Sequence, residues 1–383
     1  MISKNRMKSL ISALDQKMNQ RNINLTSSVK ILCNQYSGDT GTEYTEATHS
    51  TAVESCRQLQ KLLNIANKTT GQADKTLTEA VQRLCDGYTE PEPLYSFGVL
   101  SDLHIQYNTG LDDFQRALTY LKDRVPFTCV CGDLVAYASA EYMAQYKAYV
   151  TDYAGDMPIY ECAGNHESYP SQGVGADIDS TLWTDTTGKS LYYIFEHGAD
   201  VFIFVGMKSE RAADLFPDGA LNWLSETLEA NKSKRCFLFF HAPELADKGA
   251  DPSGKWASLM SGTSGKAFIE LIKRYQNIVW FHGHTHVTLG VERYPVSDCL
   301  GYRSVHIPSL VSPRFYDPET DSLIDYIYDE NNNKIWGSTL SEGYIVDVYE
   351  SKIVLRGINF AAGTNKDQVE PFTDEIYALD TTF

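Results

Sequence analysis

A chain of 383 residues with 43% apolar and 12% aromatic content can bury a sizeable core, and it is long enough for one large domain plus an appendage. Its formal charge of −17 is unevenly divided, with a net +2 over residues 1–90 and −19 over the rest. A body of that sign repels long polyanions, which argues against nucleic acid polymers and anionic membrane surfaces but leaves small phosphates open, since bound metals reverse the charge locally. Within residues 1–90, apolar positions recur at helical spacing at Leu10, Leu14 and Met18, at Val53, Cys56, Leu59, Leu63 and Ala66, and at Leu77, Val81 and Leu84. Three amphipathic helices are expected there, read either as a helical pack docked on the main domain or as an attachment or oligomerisation module that could make the protein a homo-oligomer. Glu90-Pro91-Glu92-Pro93 marks the boundary, leaving 91–383 as the main domain.

From residue 94 strand and helix signals alternate. Strands are expected over 95–100, 127–131 and 158–163, with helices over 112–124 and 139–154 between them. This βαβ order implies parallel strands in an α/β fold. Further strands are expected at 192–195, 201–205, 236–240 and 278–281, with helices near 220–230 and 265–275. So many strands call for two packed sheets. After His286 the expected strands at 288–293, 302–307, 344–349 and 352–358 have no helices between them, and that half is expected to be antiparallel.

Five short segments carry the chemistry: Asp102-Leu103-His104, Gly132-Asp133, Gly164-Asn165-His166-Glu167, His241-Ala242-Pro243 and Gly283-His284-Thr285-His286. Almost every one ends an apolar strand-like run, where open α/β sheets place their sites. Carboxylate, imidazole and amide oxygen together suit borderline transition metals. Asp102 with His104, and His284 with His286, are spaced two apart, so extended geometry directs each pair to one side. The missing side chain of Gly132 lets the backbone approach, and the two oxygens of Asp133 can bridge a pair of ions. A lone Asp-x-His means little, but histidines clustered at strand ends serve packing poorly and metals well. His49, His197, His282 and His306 are read as ordinary residues, with His282 placed to support the neighbouring motif. Tyr107, Tyr137, Tyr169, Trp183 and Phe315 are candidate pocket walls.

Taken in order, these motifs resemble the calcineurin-like metallophosphoesterase superfamily over roughly residues 94–310. The arrangement is most similar to the class III cyclic nucleotide phosphodiesterases and their purple-acid-phosphatase-like relatives. The resemblance implies a four-layer αββα sandwich of two mixed sheets, with the N-terminal helices as an appendage. It also implies that Asp102, His104 and His286 hold one ion, that Asn165, His241 and His284 hold a second, and that Asp133 is shared. His166 then faces the leaving-group oxygen and Glu167 orients His166. Two features depart from the family pattern: Glu167 stands where Asp is commoner, and Ala242 follows His241 where many relatives carry a second His. The N-terminal unit and the C-terminal end also look similar to phosphoesterase proteins of bacteriophage or prophage, which adds the alternative of a structural protein attached to an assembly.

The expected cofactors are two divalent or mixed-valence ions, Mn, Fe or Zn. The expected activity is hydrolysis of a small phosphodiester by a hydroxide bridging the two metals, with a phosphomonoester as the alternative substrate. No apolar run of signal or membrane-spanning length follows Met1, so a cytoplasmic protein is expected. Eight cysteines without paired spacings point to reduced thiols, with Cys129, Cys131 and Cys162 buried in strands.

Overall fold

The computed structural model describes residues 92–106, 110–169, 176–244, 257–289, 296–297, 303–317, 322–328, 334–361 and 376–381. The helices expected within residues 1–90 and the pocket wall expected at Tyr107 lie outside them. The described residues from Pro93 onward belong to one unit, Pro93–Phe383.

The first half shows the expected alternation: β1 (Tyr95–Leu100), α1 (Gly110–Leu121), β2 (Thr128–Cys131), α2 (Ala140–Tyr153) and β3 (Ile159–Cys162). Next come α3 (Ser180–Thr187), β4 (Tyr192–His197), β5 (Asp200–Val205), α4 (Ala220–Ala230), β6 (Cys236–Phe239), α5 (Thr263–Ile272) and β7 (Ile278–His282). The remaining strands are β8 (Val296–Ser297), β9 (Arg303–His306), β10 (Phe315–Asp317), β11 (Ser322–Ile324), β12 (Tyr326–Tyr328), β13 (Lys334–Trp336), β14 (Glu342–Val348), β15 (Lys352–Asn359) and β16 (Ile376–Asp380).

Two six-stranded mixed sheets form, in the orders β16-β15-β14-β1-β2-β3 and β4-β5-β6-β7-β9-β8. Side-chain alternation along the strands explains why they stack. In β5, Val201, Ile203 and Val205 join Leu224 and Leu228 of α4 and Phe268 of α5. The intervening Phe202 and Phe204 face the other sheet, where they meet Phe97, Cys129 and Val346. On the far side of the first sheet, Phe114 and Leu118 of α1 and Met143 and Tyr146 of α2 cover Leu100, Val130 and Ile345. The layers are therefore helix, sheet, sheet, helix, as the resemblance implied. Burying both faces of both sheets is what demands near-continuous apolar strands such as Asp-Val-Phe-Ile-Phe-Val.

Arg235 ties the two sheets together at one end. Its guanidinium donates to both Asp200 carboxylate oxygens at 3.0 and 2.7 Å, and its Nη1 donates to the Tyr349 carbonyl at 2.7 Å and Thr381 Oγ1 at 2.9 Å. Tyr95 Oη adds a donor to Asp200 at 2.6 Å.

The C-terminal half differs from expectation in one pairing. β14, β15 and β16 are antiparallel, but β9 runs parallel to β7, with Val279 opposite Arg303. The chain between His282 and Arg303 is long enough for a crossover and shows no helical periodicity, so the return to the same end of the sheet left no signal. Of the expected strand 288–293, Thr288 and Leu289 lie in no strand, Thr288 N donating to the Arg314 carbonyl at 2.9 Å, and residues 290–293 lie outside the described set. Helix α1 stops at Leu121 rather than 124, because the Arg124 N–H turns back onto the Leu121 carbonyl at 2.9 Å. Helix α3 was not anticipated: its sequence is rich in Thr and only Trp183 is buried. Its ends did carry signals, an Asp179 N-cap bonding the N–H groups of Thr181 and Leu182 and a left-handed Gly188. Among the described residues no helix is long and apolar enough to cross a membrane.

Candidate metal centre

The segments after β1, β2, β3 and β7 line one cleft of about 300 Å³, and His241, after β6, lies fully buried against Asp133. Backbone bonds stitch them together: Asp102 N–H to the Gly132 carbonyl at 3.1 Å, His104 N–H to the Asp133 carbonyl at 3.0 Å, and Gly283 N–H to the His241 carbonyl at 3.0 Å. The two-residue spacing works differently from the extended geometry expected. Asp102 (φ 55°), His104 (37°), Asp133 (55°), His284 (73°) and His286 (59°) all have left-handed backbones. Each such non-glycine residue costs about 1–2 kcal/mol, and strain gathered on one set of side chains marks a functional site. The chain turns sharply at these residues instead of alternating along a strand, and the turns bring the side chains inward.

Two motif glycines make the approach possible. A Cβ on Gly132 (φ +84°) would lie 2.5 Å from His241 Nδ1, and one on Gly283 would lie 2.6 Å from Asp102 Oδ2.

Hydrogen bonds fix which imidazole atom faces the cleft. His241 Nδ1 is 2.6 Å from the Cys131 carbonyl and His166 Nδ1 is 2.7 Å from the Ala136 carbonyl. Carbonyls only accept, so both Nδ1 atoms carry the proton and both Nε2 atoms face inward. Ser309 Oγ donates to the Val311 carbonyl at 2.6 Å and therefore accepts from His286 Nδ1 at 3.3 Å, which turns His286 Nε2 inward as well.

The inward atoms then crowd against one another. His286 Nε2 lies 3.2 Å from Asp102 Oδ1 and 3.0 Å from His104 Nε2. His241 Nε2 lies 3.1 Å from Asp133 Oδ2 without a hydrogen bond among the described residues. Asn165 Oδ1 lies 2.9 Å from His284 Nδ1. A lone pair facing a carboxylate oxygen at such range needs a proton or a cation between the two. Bonds of about 2.1 Å put neighbouring donors of an octahedral ion about 3.0 Å apart, so these spacings suit metal ions. Asp102 with His104 and His286 could hold one, and Asp133 with His241 and His284 another. A third cluster of His104, Asp133 and His166 overlaps both.

Burial works against charge on His241, but Asp133 and Asp102 outweigh it and push that imidazole up to about 10. Burial, then the neighbouring His241, pushes His284 down to about 4, and burial holds His104 well below the usual imidazole range. Burial alone would raise Asp133, yet His241 and His166 carry it well below the usual carboxylate range.

Glu167 does not meet His166 as expected. Its carboxylate accepts from the backbone N–H groups of Leu134 (2.7 Å), Gly164 (2.7 Å), Asp133 (3.0 Å) and Val135 (3.2 Å). Four backbone donors converge on its two oxygens, and the Ala136 carbonyl holds the His166 ring instead. Glu167 thus braces two loops and reaches His166 only through loop 133–136. Burial, then the Asp133 charge, pushes its carboxyl up to about 7.

Other expectations divide. Tyr169 packs its ring 4.4 Å from that of His166, whereas Trp183 is buried in the α1–α2 core. Phe315 is buried and Tyr137 half-buried, neither lining the cleft. His282 packs beside Trp280 and His306 with ring centroids at 5.2 and 5.5 Å. Cys129, Cys131 and Cys162 are buried free thiols. Sequence reasoning missed Ser309, Glu210 and Arg314. The Arg314 N–H donates to the His286 carbonyl at 2.5 Å and its carbonyl accepts from Thr288 N at 2.9 Å, so its backbone is fastened to the ligand segment it helps line.

Residues 95–288 match the family described as calcineurin-like phosphoesterase. The chain belongs to the calcineurin-like phosphoesterase family. Family membership, together with these clusters of metal-capable side chains, makes it a metal-dependent phosphoesterase. No curated protein matches the chain. Similar solved structures include Vacuolar Protein Sorting 29 of Cryptosporidium parvum, with 11% identity over 76% of this chain and 97% of that one and a TM-score of 0.31. Vps29 of Entamoeba histolytica complexed with Zn²⁺ has 10% identity over 75% and 99%, with a TM-score of 0.31. The NAD nucleotidase NadN of Haemophilus influenzae has 14% identity over 70% of this chain and 50% of that one, with a TM-score of 0.35.

Proposed function

We propose that this phosphoesterase hydrolyses a small phosphodiester at a dinuclear metal centre. Asp102, His104 and His286 would hold one ion and Asn165, His241 and His284 the other, with Asp133 available to both sets. The observation that carries this reading is the position of Asp133 Oδ2, 3.6 Å from His104 Nε2 of one set and 3.1 Å from His241 Nε2 of the other. When bound, the ions supply Lewis acidity that neutralises phosphoryl oxygens and acidifies the attacking water.

The remaining steps fall to the chain itself. His166 presents Nε2 to the cleft with Nδ1–H fixed on Ala136, and its side chain is 17% exposed, so a substrate oxygen can reach it. In its doubly protonated form, with the second proton on Nε2, 3.9 Å from Asp133 Oδ2, it would donate that Nε2 proton to the leaving alkoxide and return to the neutral Nδ1–H ring. Glu167 holds the loops of Asp133 and Gly164 in register. Arg314 is the one permanent cation among the described residues lining the cleft, which suits the single charge of a diester better than the double charge of a monoester.

The test compares bis(p-nitrophenyl) phosphate with p-nitrophenyl phosphate on metal-stripped protein reloaded with Mn²⁺, with Asp133→Asn as control. Preference for the diester, abolished in the variant, is expected. Preference for the monoester would move the protein to the phosphatase reading. Absence of turnover with metals bound would favour the structural reading, in which residues 1–90 attach the domain to an assembly.

A further inference from the structure

Asn165 is the one amide ligand of the proposed set, and an amide binds a cation only through its oxygen. Rotation of the amide by half a turn would present N–H groups to the metal instead. The structure contains a device that forbids this. Asn165 Nδ2 donates to Tyr169 Oη at 2.7 Å, and Tyr169 Oη donates to Glu210 Oε2. The direction of this chain is set by its far end. An ionised carboxylate only accepts, so the phenol proton goes to Glu210, the phenol oxygen is left to accept, and Asn165 must offer its nitrogen. Its oxygen is thereby turned toward His284 Nδ1 at 2.9 Å.

The relay spans the sandwich. Asn165 and Tyr169 come after β3 of the first sheet, whereas Glu210 comes after β5 of the second. The 3-10 turn His166–Ser168 spaces Asn165 and Tyr169 four apart, and Ser168 Oγ closes it on the Asn165 carbonyl at 2.7 Å. The Tyr169 carbonyl also accepts from Ala138 N at 2.8 Å, so the phenol is anchored to the loop that holds His166.

We infer that Tyr169 and Glu210 are positioning residues that lock the Asn165 amide with its oxygen toward the second metal position. This rests on the reading of Asn165 as a ligand. The hydroxyl is the operative group. Removing it leaves the ring beside His166 in place and frees the amide to rotate, and changes of this kind beyond the ligands weaken metal binding roughly 10- to 100-fold.

Metal-stripped full-length protein is titrated with Mn²⁺ by calorimetry, and thermal unfolding is recorded alongside. Tyr169→Phe is expected to weaken the second binding event by roughly 10-fold or more and to leave the first unchanged. Glu210→Ala should behave like it, and Glu210→Gln, whose amide can donate as well as accept and so no longer fixes the direction, should weaken the second event too. Equal weakening of both events, or none, overturns the inference. Asn165→Ala separates it from the reading beneath: loss of the second event there with no change in Tyr169→Phe removes the relay alone. Two intact binding events in Asn165→Ala remove the ligand assignment and the relay with it.

Discussion

His241 Nε2 and Asp133 Oδ2 lie 3.1 Å apart with His241 Nδ1 bonded to the Cys131 carbonyl, so without a metal a proton must sit on Nε2. Burial opposes that proton, but the two carboxylates push the imidazole up to about 10. An imidazole must be neutral to bind a metal, and an ion bound there expels the proton. Apparent affinity at that position should therefore rise about tenfold per pH unit between pH 7 and 9. Calorimetry in buffers of different ionisation enthalpy should count about one proton released, absent in His241→Asn. The stability of the metal-free protein should move the opposite way. A folded value raised above the ordinary 6.5 adds stability that is complete below pH 6.5 and is lost as pH rises through about 10.

His166→Ala should retain both ions and lose roughly 10²- to 10⁴-fold in kcat. Metal analysis beside turnover decides it. His166 belongs to one of the three metal-capable clusters, so a variant that comes out short of metal would make it a ligand and not an acid.

Glu167→Ala should fail in another way. Four buried backbone N–H groups lose their acceptor at once, and each unsatisfied group costs about 1–3 kcal/mol less whatever water restores. Urea unfolding should show a loss of about 3 kcal/mol or more together with lost activity, whereas His166→Ala keeps its midpoint. An unchanged midpoint in Glu167→Ala would contradict the bracing role.

The contrast between these two adjacent residues shows how far the sequence could be read. Residue types, order and positions after strands identified the site, because chemistry restricts which side chains can bind metal and apolar runs mark buried strands. What escaped were relations set by backbone turns and long-range contact. No spacing rule shows that five of the site residues turn left-handed, or that Glu167 reaches back 33 positions to Leu134. Tyr169 and Glu210 are 41 residues apart, in loops that follow strands of different sheets, with no motif between them. The direction of β9 was lost for a similar reason, since the sequence between His282 and Arg303 carries no helical periodicity to read.

Arg314 bears most directly on substrate choice. Arg314 lines the cleft with Asp325 Oδ1 3.8 Å from its Nε, and its side chain is 38% exposed. A contact at that exposure is worth less than a buried charged hydrogen bond, so Arg314→Gln should raise KM for bis(p-nitrophenyl) phosphate roughly tenfold. It should leave kcat and metal content near the wild-type values, because the guanidinium neutralises substrate charge in ground and transition states alike. Added salt should raise the wild-type KM and narrow the gap between the two proteins. A fall in kcat with KM unchanged would instead place Arg314 on the charge that develops during phosphoryl transfer.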